Sequence, residues 1–157
     1  MKKYGFSQQD LCKVYRNIIR PVADYCCVVY HSMLTDEQDE VLDRCQAHAL
    51  RCIFGKDMPY AKMREKAGVT TLRQRRIELT DKFAQKCLKN PRFADWFPEK
   101  TGLRASRRPN VTEKYQETFA RCERLRNSPI HYMRRRLNGK EGKNYGKRYH
   151  ERRSSIT

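Results

Sequence analysis

The residues here best suited to chemistry are seven cysteines and four histidines in a chain of 157 residues. Cys45, His48 and Cys52 stand at i, i+3 and i+7, so a single helix would turn all three the same way, with His31 available as a fourth ligand. Zinc takes three or four such ligands in a tetrahedral shell. The chain has no CxxC pair, however, and Cys45 and Cys52 also fit an apolar helix face. They read as core thiols beside a boundary histidine. A cysteine–histidine nucleophile has no local motif behind it. The carboxylates include no adjacent aspartate pair that could hold magnesium for nucleotidyl transfer, and no glycine-rich loop cradles a phosphate. The expectation is therefore no metal, no cofactor and no enzymatic activity from this chain by itself.

The basic residues carry a stronger signal. Arg75, Lys82, Lys86 and Lys89 form a stripe along one helix, over roughly 20 Å at 1.5 Å per residue, which suits either phosphate tracking or a solvated face. Further on, Arg104, Arg107, Arg108, Arg121, Arg124, Arg126, Arg134, Arg135 and Arg136 are mixed with Tyr115, Phe119 and Tyr132. Arginine gives bidentate contacts to phosphate and stacks on bases. Interleaved aromatics offer platforms for unpaired bases, or else dock the segment onto a core. The expected nucleic-acid-binding set is Arg75, Lys82, Lys86, Lys89, Arg121, Arg124, Arg126, Tyr132, Arg134, Arg135 and Arg136. If Arg134, Arg135 and Arg136 all engage phosphates, replacing them by Ala should flatten the log–log salt dependence by about 2.

The elements that must position these residues are helical. Ser7 with Asp10 starts a helix carrying Leu11, Val14, Tyr15, Ile18 and Ile19, which Pro21 breaks or restarts. The apolar stretch 22–30 is expected as helix. Thr35 with Gln38 forms a capping box, and Asp36 and Glu37 suit the dipole of a helix over 36–54. Its apolar face reads Val41, Leu42, Cys45, Ala49, Cys52 and Ile53, and Gly55 ends it. Pro59 opens a short helix closed by Gly68, and Thr71 opens one running to about Lys89, before Asn90-Pro91. Residues 92–97 look like an aromatic plug, and 98–112 like a basic loop. Two weaker helices are expected over 113–125 and 129–137, then a disordered tail from Gly139. The fold class is thus mainly α, a small helical bundle with a basic, partly disordered C-terminal tail. Its divisions are a helical body over 1–97, a basic loop with short helices over 98–138, and the tail over 139–157.

Charge follows the same partition. Residues 1–60 are neutral in sum, 61–100 carry +6 and 101–157 carry +11, within a formal net charge of +17. A neutral front can fold around a core, whereas a cationic back repels itself until a polyanion neutralises it. The longest apolar run, Tyr25 to Tyr30, is far short of the roughly 20 residues a membrane span needs. Lys2 and Lys3 lead into polar residues, not a signal peptide. An odd cysteine count with scattered spacing argues for reduced, mostly buried thiols. A nuclear or cytoplasmic, non-secreted chain is expected, with RNA or DNA as partner and no membrane.

The order of several blocks adds a family resemblance. Leu11, Val14-Tyr15, Ile18-Ile19, Pro21, Tyr25, Leu34-Thr35, Gln46, Ala49-Leu50, Ile53 and Gly55 resemble the region that follows the palm in LINE-type (non-LTR) retrotransposon reverse transcriptases. Tyr60, Ala67-Gly68, Leu72, Arg75-Arg76, Leu79 and Phe83 continue it. Residues 121–138, with Asn127, Ser128, Pro129, Tyr132 and Asn138, look like the closing motif of those proteins. The resemblance covers roughly 2–138 and implies a helical thumb over 1–97 that holds template–primer duplex by its backbone, without reading sequence. The family's palm, with its catalytic aspartates, and its endonuclease would lie upstream of Met1. Tyr30 stands where the family usually has Trp, and the many cysteines depart from its pattern. The expectation is a thumb-and-C-terminal fragment of an RNA-directed DNA polymerase that binds nucleic acid without catalysing. The alternatives are a module that docks onto a polymerase palm, or a non-functional relic of a transposable element.

Overall fold

The computed structural model describes residues 5–99, 114–117 and 119–139. These are mainly helical, as the sequence predicts. Most of the expected loop over 98–112, and the tail beyond Gly139, lie outside the described residues. The described residues form two compact units: 5–27 with 34–78, and 28–33 with the described residues from 79 to 139. Residues 79–97 therefore cluster with the C-terminal segments, not with the first helices.

In the first unit, Ser7 caps α1 (Gln8–Val14) by accepting the Asp10 N–H at 3.1 Å. The Ser7 hydroxyl, and then Lys13, hold the Asp10 carboxyl below its usual range. The helix continues through a wider π turn over Tyr15–Ile19 into α2 (Arg20–Asp24). Pro21 accounts for the widening. It has no N–H to donate, and its ring crowds the carbonyl four residues back. The Arg20 N–H instead reaches the Tyr15 carbonyl, one residue beyond the α-helical partner, which lets the helix pass the proline. The single helix expected over 22–30 does not form. The chain turns at Tyr25 and Cys26, where Cys26 takes φ of 52°, before α3 (Cys27–Tyr30), which together with the following 3-10 turn His31–Met33 belongs largely to the second unit. A left-handed non-glycine residue costs roughly 1–2 kcal/mol, so packing must hold this corner.

Thr35 and Gln38 cap α4 (Asp36–Phe54) reciprocally, as expected. Gly55, with φ of 96°, ends it. Gly68 closes α5 (Tyr60–Ala67) in the left-handed region, φ 62°, and donates its N–H back to the Arg64 and Glu65 carbonyls. The core gathers Cys12 and Tyr15, Leu50 and Ile53 of α4, and Met63, Ala67 and Val69. Burial pushes the Tyr15 hydroxyl up to about 12.

The inward face of α4 differs from the expected one. Gln46, Leu50 and Ile53 are buried, while Val41, Cys45 and Cys52 are exposed. The Gln46 amide donates to the Thr70 carbonyl at 3.0 Å, which meets the need of that backbone acceptor for a partner. Nearby, Arg20 donates to the Thr70 hydroxyl at 3.0 Å. Arg76, fully buried, donates to the Asp39 carboxylate, which Arg73 also approaches at 3.5 Å.

In the second unit, the C-terminal half of α6 (Leu72–Leu88) packs Ala84 and Cys87 against Phe97, Tyr115 and Met133. The expected aromatic plug is a 3-10 turn, Pro91–Trp96, with the Asn90 side chain accepting the Arg92 N–H at 3.1 Å. Phe93 and Trp96 border the same core. The helix expected over 113–125 is corrected. Tyr115 pairs antiparallel with Glu99, and among the described residues there only α7 (Glu123–Arg126) is helical. Asn138 explains the extended backbone: its amide accepts the Tyr115 N–H at 2.9 Å and donates to the Tyr115 carbonyl at 3.0 Å, as a neighbouring strand would. The last helix, α8 (Pro129–Leu137), follows the sequence reading, with proline in its first turn.

Candidate nucleic-acid interface

Lys82 and Lys86 project from the outer side of α6, because Ala84 and Cys87 take the inner side, and Lys89 stands in the turn just past its end; all three are exposed. Arg75, on the first-unit part of that helix, is half-buried. It lies 3.5 Å from Asp24 and 3.9 Å from Glu78, so its charge is already partly neutralised. In the second unit Arg121, Arg124 and Arg126 are exposed, the last two on α7.

The α8 residues sit differently. Arg134 is 7 % exposed, and its guanidinium donates to the Trp96 carbonyl at 2.6 Å and the Gln116 carbonyl at 3.5 Å. Burial pushes its pKa down. It ties the 3-10 turn and the extended segment to α8. Arg136 donates two hydrogen bonds to Asp81, at 3.1 and 2.5 Å. Arg135 is half-buried. Tyr132 sets its ring edge-on to His31, its hydroxyl 3.2 Å from Nε2. A sequence cannot separate these inward arginines from the outward ones, because their acceptors lie 18 to 55 residues away.

One residue outside the expected binding set stands out. Phe119 is 88 % exposed, beside a cavity of about 370 Å³ lined by Glu117, Arg126, His131, Arg134 and Arg135 among others. The sequence signal was its place among arginines. His131 Nδ1 stands 2.8 Å from the Ser128 hydroxyl. Burial, and then the charges of Arg134 and Arg135, lower its pKa below 6.5, with Glu117 opposing. As pH falls, the unfolded chain takes up this proton first, so the stability it contributes is present above about pH 6.5 and is lost below it. His131→Asn should therefore reduce the drop in melting temperature between about pH 7.5 and 5.5. Equal drops in both proteins would contradict the assignment.

Of the cysteines, Cys12, Cys27 and Cys87 are buried, while Cys26, Cys45, Cys52 and Cys122 are exposed, which corrects the expectation of mostly buried thiols. Burial raises the Cys87 thiol. His48 is also exposed. Among the described residues no three His, Cys, Asp or Glu side chains group closely enough to hold a metal ion. Chelation should leave the helical circular-dichroism signal unchanged. Cooperative loss of helix, restored by zinc, would instead reinstate a Cys45–His48–Cys52 site.

A second surface is apolar. Val14, Ile18, Ile19, Val22 and Tyr25 are 42, 64, 49, 77 and 77 % exposed. Among the described residues no helix is long and apolar enough to cross a membrane. No family model, curated protein or solved structure matches the chain.

Proposed function

We propose that this chain holds nucleic acid by its backbone, as a thumb-and-C-terminal segment similar to that of LINE-type reverse transcriptases, and supplies no catalytic group of its own. The observation that carries the reading is the exposure of Lys82, Lys86, Lys89, Arg121, Arg124 and Arg126 in a chain of net charge +17. Cations at the surface neutralise phosphates and release condensed counterions, which favours any nucleic acid regardless of sequence. Arg134, Arg136 and Tyr132 support the same surface indirectly, by fixing α8 and the segments around it. The partners are RNA, DNA or their hybrid.

A second reading has its own observation. The exposed apolar side chains of Val14, Ile18, Ile19, Val22 and Tyr25 suit a module that packs against another protein domain, such as a polymerase palm. The two readings are compatible, since a thumb must both grip its duplex and be held in place.

The test is an equilibrium titration of the whole chain against single-stranded RNA, single-stranded DNA and an RNA–DNA hybrid, each in two unrelated sequences. Binding should differ little between sequences of one type. Failure to bind any of the three would move the docking reading ahead. Strong preference for one sequence would overturn backbone recognition.

A further inference from the structure

The cavity of the second unit combines groups that a phosphate-tracking surface does not need. At about 370 Å³ it is near the lower end of the ~300–1,000 Å³ range of small-molecule sites, too small for a duplex and suited to a single nucleotide. Phe119 borders it with its ring almost wholly in water, while Phe97 of the same unit is 5 % exposed in the core. Arg126 and Arg135 line the same space, the first exposed and the second half-buried. Arg134 lines the cavity too, but its guanidinium is taken up by the bond to the Trp96 carbonyl, so it shapes the wall. Glu117 lies in the lining as well and repels a phosphate, so the arginines must outweigh it.

We propose that this cleft seats one unpaired nucleotide of a bound strand, its base stacked on Phe119 and its phosphate held by Arg126 and Arg135. The inference rests on the nucleic-acid reading above and adds to it a point where a base, and not only the backbone, is gripped. Stacking suits that reading because every base offers a π face, so the grip tolerates any sequence. It also separates strand from duplex, since a paired base cannot reach the ring.

The test measures binding of the full chain to a labelled single strand of about 12 nucleotides, a length within single-strand site sizes, and to a blunt duplex of equal length. Salt is varied between about 50 and 300 mM. Phe119→Ala should weaken single-strand binding at least about fivefold, with the salt slope unchanged. It should leave the duplex unaffected, and Phe119→Tyr should restore the strand. Arg126→Ala should flatten the single-strand slope by about 0.7. Because Phe119 and Arg126 are exposed, neither variant threatens the fold. If Phe119→Ala binds the single strand as the parent does, or weakens the duplex equally, the cleft assignment is overturned while backbone binding stands. Absence of binding to both nucleic acids overturns the two together. Thymidine monophosphate binding as tightly as the 12-mer would assign the cleft to a free nucleotide and overturn its place on a strand.

Discussion

Replacing Arg76 by Ala is expected to destabilise the first unit by about 3–5 kcal/mol, the cost of removing one partner from a buried ion pair. The guanidinium has no exposure, and Asp39, to which it donates, is only 15 % exposed. Removing Arg76 leaves a poorly solvated carboxylate and a cavity together. Arg73, itself 45 % exposed and 3.5 Å from Asp39, recovers part of the loss. The pair itself need not be stabilising, because bringing both charges out of water offsets much of their attraction. The double change Arg76→Met with Asp39→Leu should therefore be far milder than Arg76→Ala. Urea denaturation of the parent and both variants checks this. A loss below about 1 kcal/mol for Arg76→Ala would mean that Arg73 alone satisfies Asp39, as an exposed pair of that worth would. Against a typical total stability of about 5–15 kcal/mol, the expected loss unfolds a substantial share of the molecules only at the lower end of that range.

The second large effect is expected on binding. Changing Lys82, Lys86 and Lys89 together to Ala should flatten the single-strand salt slope by about 2, from three contacts at roughly 0.7 each. Affinity at low salt should fall at least about tenfold, since such contacts supply most non-specific binding. The fold should survive, because all three are exposed and Ala favours helix. Arg134→Ala is the contrasting variant. It should lower stability by about 1–3 kcal/mol by leaving buried carbonyls without their donor, and leave the slope of the folded fraction unchanged. If the lysine variant keeps the parent slope while Arg134→Ala flattens it, the outward and inward assignments have been exchanged.

What was legible in the sequence was local. The caps at Ser7 and at Thr35 with Gln38, the stops at Gly55 and Gly68, and the proline opening α8 depend on residues within a few positions. Each acts on the backbone nearby, so each could be read without knowing the fold. The errors came from partners distant in sequence. The inward face of α4 is set by Gln46 meeting the carbonyl of Thr70, 24 residues on. The region around Tyr115 is extended because Asn138, 23 residues on, supplies the hydrogen bonds that a helix would have. Likewise the roles of the arginines depend on where acceptors fall. Arg136 meets Asp81 and Arg134 meets Trp96, while Lys82, Lys86 and, just past the helix end, Lys89 are exposed. Composition announced a basic surface but could not say which cations compose it. Phe119 shows the converse: its neighbours hinted at a stacking platform, yet only its exposure distinguishes it from Phe97 in the core.

The most direct measurement of the central claim is the affinity of the intact chain for single-stranded RNA and for duplex as salt is raised. About five phosphate contacts give a log–log slope near -3.5 on the single strand and near -4.5 on duplex, at roughly 0.7 and 0.9 per contact. A straight line of that steepness is the expected result. A flat line, or no binding at the lowest salt, would contradict nucleic-acid holding by this chain and leave the exposed apolar side chains of Val14, Ile18, Ile19, Val22 and Tyr25 as its principal surface.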